Sequence, residues 1–275
     1  MCLLYIFDAQ FRLLIIALFL SLKLGIKNRM VTSRNQSMNN GYSKQCVLIT
    51  GANRGIGLEL TKQYLNSQRC VIASCRDLNE SSELRELQQH NTNQLMLEEL
   101  ELSDKLSIET FCDRIAAKNC SIQVMINNAG FLDRQNQSIF SIDYEAAHNA
   151  LSINALAPLY LVHKLLASLD PENAKIVMIS SDMGSLSMAQ PAAWYGYRMS
   201  KAAVNMLVHN LSTEFRQSAH SVFAIHPGWV QTDMGGDDAA ISVSDSAVGI
   251  LTTIDKLCKQ QCGGYYDFTG KLMDF

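Results

Sequence analysis

The amino-acid sequence predicts an α/β protein with a single doubly wound parallel sheet of about seven strands and helices on both faces. From residue 44 onward, short β-branched apolar runs alternate with longer segments of helical periodicity, which is typical of repeated βα units. Several of these runs are continuously apolar. Such runs are expected of parallel strands whose two faces are both covered by helices.

Seven segments carry the strand pattern and four carry a clear helix pattern. The predicted strands are residues 45–50, 70–75, 94–101, 122–126, 175–180, 221–226 and 264–268. The predicted helices are residues 55–67, 105–118, 144–169 and 196–217. In the first helix Ile56, Leu60 and Tyr64 share one face at i,i+4 spacing, as an amphipathic helix requires.

Composition narrows the functional class. The 275 residues are 48% hydrophobic and 18% charged, an ordinary globular balance for one large domain. The net charge is −3 and there is no basic run, so nucleic acid is not an expected partner. The eight cysteines form no CxxC pair, and Cys258 and Cys262 lack a matching Cys/His set. We therefore predict no metal site and a reducing, cytoplasmic location.

The first 43 residues form an extension with an unusual apolar run. Residues 13–22 carry no charge, but these ten residues are half of the roughly 20 that a spanning helix needs. No small-residue cleavage site follows, so the run is not a clean signal peptide. Three interpretations remain open: a membrane anchor through residues 1–30, a degenerate targeting segment, and an extension absent from the working protein. The folded domain is predicted to span residues 44–275.

A glycine-rich loop joins the first strand to the first helix. It reads Thr50-Gly51-Ala52-Asn53-Arg54-Gly55-Ile56-Gly57. Gly51 permits a tight turn, Gly55 lets backbone amides approach a pyrophosphate, and Gly57 lets helix and strand pack closely. The helix N-terminus then offers N–H groups and a positive dipole end to the anion. The loop predicts a Rossmann-type dinucleotide site.

The end of the second strand indicates which dinucleotide binds. An acidic residue at this point would hold the adenosine ribose of NAD, but Cys75 and Arg76 stand here. A neutral residue does not repel a 2′-phosphate, and a guanidinium can grip it. Arg54 could reach the same phosphate. NADP(H) is therefore preferred over NAD(H), the alternative being that both arginines are solvated and that Asp77 partly offsets Arg76.

Three groups of polar residues have the chemistry of a catalytic site. Tyr197 and Lys201 lie four residues apart in a helical segment and so project from one face, where an ammonium would favour the phenolate. The pair Ser180 and Ser181 ends the fifth strand, where a hydroxyl can bond a carbonyl oxygen. Asn154 lies within an apolar helical segment, where a buried amide needs hydrogen-bond partners. It can therefore belong either to the catalytic site or to a structural hydrogen-bond network.

The order of these motifs resembles that of the short-chain dehydrogenase/reductase family. It runs from the glycine loop through Asn127-Asn128-Ala129-Gly130, Asn154, Ser181, Tyr197-x-x-x-Lys201 and Pro227-Gly228, and the resemblance covers essentially all of residues 44–275. Residues 226–236 and 195–198 are similar more narrowly to the C-factor-like or sniffer-type carbonyl reductases. The sequence departs from the family pattern in two respects. The spacing from Ser181 to Tyr197 is a few residues longer than the commonest one, and Glu101 stands where the family usually has aspartate.

The resemblance implies catalytic roles for four residues. Tyr197 would be the general acid in reduction, and Lys201 would bind the nicotinamide ribose and lower the Tyr197 pKa. Ser181 would orient the carbonyl, with Ser180 as a rival. Asn154 would hold a water that links Lys201 to solvent in a proton relay.

The resemblance also implies a cofactor site. Asn127 would brace the central sheet, Thr232 would bond the nicotinamide carboxamide, and Pro227-Gly228 would shape the loop beneath it. The full expected set is Gly51, Asn53, Arg54, Gly55, Ile56, Gly57, Arg76, Glu101, Leu102, Asn127, Ala129, Gly130, Tyr197, Lys201, Pro227, Gly228, Val230 and Thr232.

The function expected from these residues is NADPH-dependent hydride transfer between the cofactor and a small carbonyl or alcohol substrate. One alternative is a cofactor-sensing NADP-binding protein that acts through a partner. Another is a membrane-tethered structural protein, which rests on the N-terminal run alone. Residues 234–246 are expected to form a lid, since they include the stretch Gly-Gly-Asp-Asp. The sequence leaves a homodimer open.

Overall fold

Seven parallel strands form one sheet in the computed structural model, which describes residues 44–135, 138–188 and 193–275. The strands are β1 (Lys44–Thr50), β2 (Cys70–Cys75), β3 (Leu95–Glu99), β4 (Cys120–Asn127), β5 (Lys175–Ile179), β6 (Ser221–His226) and β7 (Tyr265–Asp267). They lie in the order β3-β2-β1-β4-β5-β6-β7, and each neighbouring pair is parallel. The predicted fold class is confirmed, and every predicted strand is present within two residues at each end.

Helices cover both faces of this sheet. They are α1 (Gly55–Asn66), α2 (Ser82–His90), α3 (Lys105–Ala117), α4 (Tyr144–Leu151), α5 (Ala157–Leu165), α6 (Tyr195–Glu214) and α7 (Val243–Lys256). Neither α2 nor α7 is among the segments that periodicity predicts. Because α2 buries only Leu84, it has almost no apolar stripe to detect. The predicted helix over residues 144–169 is broken by a π-helical turn, Ser152–Leu156, between α4 and α5.

The core forms two layers, one on each face of the sheet. Along β1, Cys46 and Leu48 face the layer built with α3, α5 and α6. Val47 and Ile49 face the opposite layer, built with α1, α2 and α7. All four are fully buried, which explains why the strand is apolar at successive positions. Each such side chain contributes about 1.5–3 kcal/mol of burial free energy.

Strand order places a crevice at the carboxyl ends of β1 and β4. From β1 the chain crosses to β2 and β3 on one side, and it then returns to β4 on the other side of β1. The loops after β1 and β4 therefore leave the sheet in diverging directions. Doubly wound sheets bind their ligands at such a switch point.

Asn128 joins the carboxyl ends of these two strands. Its Nδ2 donates to the carbonyl oxygen of Thr50 at 2.9 Å and to that of Gly51 at 3.1 Å. In return, the Thr50 hydroxyl oxygen accepts the backbone N–H groups of Asn128 and Ala129, both at 3.1 Å. The first turn of the glycine loop is thus held against β4 by four hydrogen bonds.

Asn127, the residue expected to brace the sheet, has a different environment. It ends β4 and is buried, yet neither atom of its amide group has a hydrogen-bond partner among the described residues. The bracing role inferred from the family resemblance remains a prediction. The side chain that makes the cross-strand hydrogen bonds is that of the next residue, Asn128.

One described stretch is long and apolar enough to span a membrane, namely Tyr144–Ser168. It comprises α4, the π-helical turn, α5 and a short 3₁₀ turn, and Leu161, Val162 and Leu165 within it belong to the core. Core helices of globular proteins pass the same test of length and composition, so this stretch is weak evidence for a membrane span. The apolar run at residues 13–22 lies outside the described residues.

We predict that Asn128→Ala destabilises the domain by about 1–3 kcal/mol, because it removes the donor to two backbone carbonyl groups. For a domain of this size each kcal/mol lowers Tm by about 2–4 °C, which thermal denaturation measures. The matched control is Asn127→Ala, for which we expect a smaller loss because its amide makes no hydrogen bond to the described protein. A larger Tm loss in Asn127→Ala than in Asn128→Ala would show that Asn127 is the residue that braces the sheet.

Candidate active site

A cleft of about 1050 Å³ opens at the carboxyl edge of the sheet. Its walls come from the carboxyl ends of β1 to β6 and the loops that follow them, together with α6. Many of the residues predicted for the cofactor site line it: Gly51, Asn53, Arg54, Gly55, Ile56, Arg76, Glu101, Leu102, Ala129, Gly130, Tyr197, Lys201, Pro227 and Thr232. The other predicted site residues are not among those that line the cleft: Gly57, Asn127, Gly228 and Val230 of the cofactor set, and Asn154 and Ser181 of the catalytic set.

The glycine loop has the shape that a pyrophosphate cradle needs. Gly51 has a φ of +64°, a left-handed conformation that side chains disfavour. A Cβ at Gly57 would lie 2.1 Å from the Gly51 carbonyl oxygen, so only glycine permits this approach of helix to loop. No described side chain caps the N-terminus of α1. Its first N–H groups are therefore available to an anion in the cleft.

Both arginines proposed for the 2′-phosphate lie at this end of the cleft. Arg76 follows β2 directly, and its Nε lies 4.0 Å from a carboxylate oxygen of Glu101. Glu101, in turn, accepts hydrogen bonds from the N–H and hydroxyl of Ser103 at 2.9 and 2.8 Å. Arg54 pairs with Asp233, on the loop after β6. Both arginines are exposed and each has an acidic partner, Glu101 for Arg76 and Asp233 for Arg54.

The loop after β6 closes the cleft beside the glycine loop. A methyl group added at Gly55 would lie 3.1 Å from Thr232 Cγ2, so the two loops are in contact. Arg134, in the loop after β4, donates to the Met234 carbonyl oxygen at 2.6 Å and so holds the loop after β6 in place. Residues 234–242 are irregular and the rest of the predicted lid, from Val243, is the first turn of α7. Movement of the irregular part remains a prediction.

Tyr197 and Lys201 project into the cleft from the first two turns of α6. The Lys201 Nζ lies 5.5 Å from the centroid of the Tyr197 ring. It donates to the Ile179 carbonyl oxygen at 2.8 Å and pairs with no carboxylate in the described part of the chain. Lys201 is buried, and this burial lowers its pKa to about 8. The ammonium is therefore held close to the phenol at the cost of its own hydration.

Tyr197 is half-buried in the wall of the cleft. Burial raises the pKa of its phenol to about 12, while a hydrogen bond with Ser181 lowers it and the charge of Asp182 raises it further. The phenol is therefore protonated at neutral pH, which is the form that can donate a proton. The expected lowering of the Tyr197 pKa by Lys201 remains a prediction, because Lys201 Nζ bonds the Ile179 backbone.

The two serines after β5 have different partners. Ser180 lines the cleft, and its buried hydroxyl donates to the Asn205 side-chain oxygen at 2.7 Å. Ser181 is the serine that lowers the pKa of Tyr197, although it is not among the residues that line the cleft. It also starts a 3₁₀ turn, Asp182–Gly184, by accepting the Met183 N–H at 3.2 Å. The Ser180 hydroxyl is thus engaged by Asn205, and the choice of Ser181 as the catalytic serine remains a prediction.

Asn154 lies in the π-helical turn and ties three elements together. Its side-chain oxygen accepts the Phe131 N–H at 2.7 Å, and its Nδ2 donates to the Phe131 carbonyl at 2.9 Å and to the Ser200 hydroxyl at 2.8 Å. A Cβ on Gly130 would lie 3.5 Å from the Asn154 oxygen and 3.8 Å from Lys201 Nζ, so both groups border the same point. The structural network considered from the sequence is present, and the proton-relay role remains a prediction.

Two positions beside the predicted site residues, Phe131 and Asp182, escape the sequence argument, whereas Met234 is the first residue of the predicted lid. Phe131 lines the cleft and is held by Asn154, and Met234 approaches Gly130 from the opposite wall. Asp182 contacts Ser181 from the adjacent position, and only its place directly after the predicted serine could have drawn attention to it. No group of three or more His, Cys, Asp or Glu side chains among the described residues could hold a metal ion.

Comparison with known proteins agrees with this geometry. A family model described as short chain dehydrogenase matches residues 45–240. The C-signal protein of Myxococcus xanthus is 39% identical over 150 residues, which cover 54% of this chain and 90% of the relative. The solved structure of the carbonyl reductase Sniffer of D. melanogaster is 30% identical with a TM-score of 0.79, covering 84% of this chain and 99% of that one.

A second solved structure has its cofactor in place. The NADPH-bound carbonyl reductase from chicken fatty liver is 31% identical with a TM-score of 0.76, and the match covers 84% of this chain and 98% of that chain. The family model spans well over half of the present chain, and the matched region contains the glycine loop, Ser181, Tyr197 and Lys201. The chain belongs to the short-chain dehydrogenase family.

Proposed function

We propose that this protein is an NADPH-dependent carbonyl reductase, or an alcohol dehydrogenase in the reverse direction. The observation that carries the proposal is the pairing of Tyr197 and Lys201 in the wall of a cleft that the glycine loop also lines. The Ser181 hydroxyl acts on the same phenol by lowering its pKa. A protonated phenol beside a hydroxyl suits a carbonyl oxygen that must accept a proton. The two similar solved structures are both carbonyl reductases, and this supports the same activity.

The described residues fit a dinucleotide of the NADP type. The glycine loop and the uncapped α1 N-terminus would hold the pyrophosphate, and Arg76 and Arg54 would hold the 2′-phosphate. Thr232, in contact with the glycine loop, would bond the carboxamide. The bound cofactor supplies the hydride, while the protein supplies position, proton and electrostatics.

Tyr197 is the group that donates the proton. Its raised pKa keeps the proton on the phenol at neutral pH, so the acid form dominates when a carbonyl substrate arrives. Lys201 would bind the nicotinamide ribose and, with its lowered pKa, can exchange a proton near neutral pH. Ser181 would orient the carbonyl oxygen against the phenol. Asn154 would connect Lys201 with solvent through the π-helical turn.

We further propose that residues 44–275 carry this activity in the cytoplasm on a small carbonyl or alcohol substrate. The alternative is association with a membrane through residues 1–30, which lie outside the described structure. Fractionation of the full-length chain and of a chain starting at Met38 separates these two locations.

Tyr197→Phe tests the chemistry, because it preserves the ring and its packing but removes the proton donor. General acid catalysis typically contributes 10²–10⁴-fold, so kcat for carbonyl reduction should fall by about that factor. The Kd for NADPH, measured by fluorescence titration, should change less than threefold. The control is Ser180→Ala, whose hydroxyl bonds Asn205, and it should leave kcat within a few-fold of wild type.

Two outcomes oppose the proposal in different ways. Wild-type turnover by Tyr197→Phe would mean that another group is the acid. A wild-type protein that binds NADPH but turns over no aldehyde, ketone or quinone in a broad panel would favour the cofactor-sensing alternative instead.

Arg76→Ala tests the cofactor preference. NADPH should bind wild type at least tenfold more tightly than NADH, about 1.4 kcal/mol, and the variant should lose affinity for NADPH while keeping that for NADH. Arg85→Ala is the matched control, because Arg85 lies on α2 and bonds the Asn79 carbonyl outside the cleft. Equal wild-type affinities for NADPH and NADH in calorimetric titration would overturn the assignment.

A further inference from the structure

Asp233 ties the loop after β6 to the glycine loop. Its carboxylate accepts a hydrogen bond from Nη1 of Arg54, the residue directly before α1, and Arg54 is its single hydrogen-bond partner among the described residues. Both side chains line the cleft. The backbones of the two loops are also close, since a Cβ on Gly55 would lie 3.1 Å from Thr232 Cγ2. The ion pair thus joins the two loops beside the proposed 2′-phosphate site.

The two arginines at this end of the cleft are held to different degrees by their acidic partners. Arg76 Nε lies 4.0 Å from the nearest Glu101 oxygen, which is too far for a hydrogen bond, and the other Glu101 oxygen accepts the N–H and hydroxyl of Ser103. Arg54 and Asp233 form both an ion pair and a hydrogen bond. Arg76 can therefore turn to a phosphate without losing a hydrogen bond to its partner, whereas Arg54 has to give up its bond with Asp233.

Other contacts hold the loop after β6 without the Asp233 side chain. Arg134 donates to the Met234 carbonyl oxygen at 2.6 Å, and the Trp229 indole N–H donates to the Gly235 carbonyl oxygen at 2.8 Å. These bonds remain when the ion pair opens. Loss of the Asp233 charge is therefore expected to free the guanidinium while the loop keeps its place.

We propose that Asp233 is a specificity-determining residue of the cofactor site, which competes with the 2′-phosphate for Arg54. The carboxylate holds the guanidinium against the loop after β6, and a bound 2′-phosphate would take its place. The competition lowers the affinity for NADP(H) and leaves that for NAD(H), which has no 2′-phosphate, unchanged. This inference rests on the proposed function, which assigns the 2′-phosphate to Arg54 and Arg76.

Solvent exposure determines the size of the effect. The side chains of Arg54 and Asp233 are 67% and 73% exposed, so water and salt screen the attraction between them. An exposed ion pair of this kind changes an equilibrium by about two- to fivefold. The same factor is the gain in affinity expected when Arg54 no longer has to leave Asp233, and the gain should diminish as the salt concentration rises.

Asp233→Asn tests the competition, because it keeps the size of the side chain and removes its charge. The probe is adenosine 2′,5′-bisphosphate, which carries the 2′-phosphate but no nicotinamide, so its binding is independent of hydride transfer. In calorimetric titration at low salt, the variant should bind this probe about two- to fivefold more tightly than wild type. The Kd for NADPH should fall by the same factor, and the Kd for NADH should stay the same.

Two comparisons separate this competition from a general charge effect. Asp237→Asn removes one negative charge from an exposed position of the same loop and should change the affinity for the bisphosphate much less. In an Arg54→Ala background, Asp233→Asn should give no gain, because the group for which the carboxylate competes is gone. A gain that persists without Arg54, an equal gain in Asp237→Asn, or no gain in a folded Asp233→Asn protein would overturn the proposal.

Binding of the bisphosphate and reduction of a carbonyl can fail separately. If Asp233→Asn gains affinity through Arg54 in a protein that reduces no aldehyde, ketone or quinone, the proposed reductase activity fails and the role of Asp233 stands. If an active, NADPH-selective enzyme shows no gain, the role of Asp233 fails alone. A wild-type protein without affinity for the bisphosphate would overturn the assignment of the 2′-phosphate to Arg54 and with it the role of Asp233.

Discussion

The parallel pairing of all seven strands is the constraint on which the rest of the structure depends. Parallel strands need a crossover between each pair, and these crossovers bury both faces of the sheet under helices. Every strand then ends at the same edge, so residues far apart in sequence meet there. Asn128 and Thr50 fasten the two central strands at this edge. The strand order alone therefore places the glycine loop, after β1, and Ser181, after β5, at the same edge of the sheet.

Burial without a compensating charge determines the chemistry at that edge. Lys201 is buried, with a single backbone carbonyl in place of water around its ammonium, so its pKa falls. Tyr197 lies in the same poorly solvated wall, and the pKa of its phenol rises. The two pKa values move apart, so near neutral pH the proton stays on the phenol, which is the group that has to donate it. Asp182 acts in the direction of burial by opposing the phenolate. The arginines at the other end are exposed and paired with Glu101 and Asp233, so an incoming 2′-phosphate has to displace or share those partners.

The sequence predicts much of this fold and part of the site, for physical reasons that differ. The strands can be predicted because burial on both faces requires continuous apolar runs. Helix α2 is missed by the pattern because it buries only Leu84. Tyr197 and Lys201 follow from i,i+4 spacing on one helix. The π-helical turn at Asn154 is invisible to periodicity, since it differs from an α-helix only in hydrogen-bond register. The contact between Asp182 and His226 joins residues 44 positions apart, and the pairing of Arg76 with Glu101 likewise depends on tertiary structure.

Transfer of isotope from cofactor to product tests the central claim most directly. The protein is incubated with NADPH that carries deuterium at the transferable C4 position and with a carbonyl compound that it consumes, and the product is examined by mass spectrometry. The account predicts an alcohol with one deuterium on the former carbonyl carbon, formed at the rate of NADPH oxidation. NADPH bound by the protein but no deuterium in any product, across aldehydes, ketones and quinones, would contradict it.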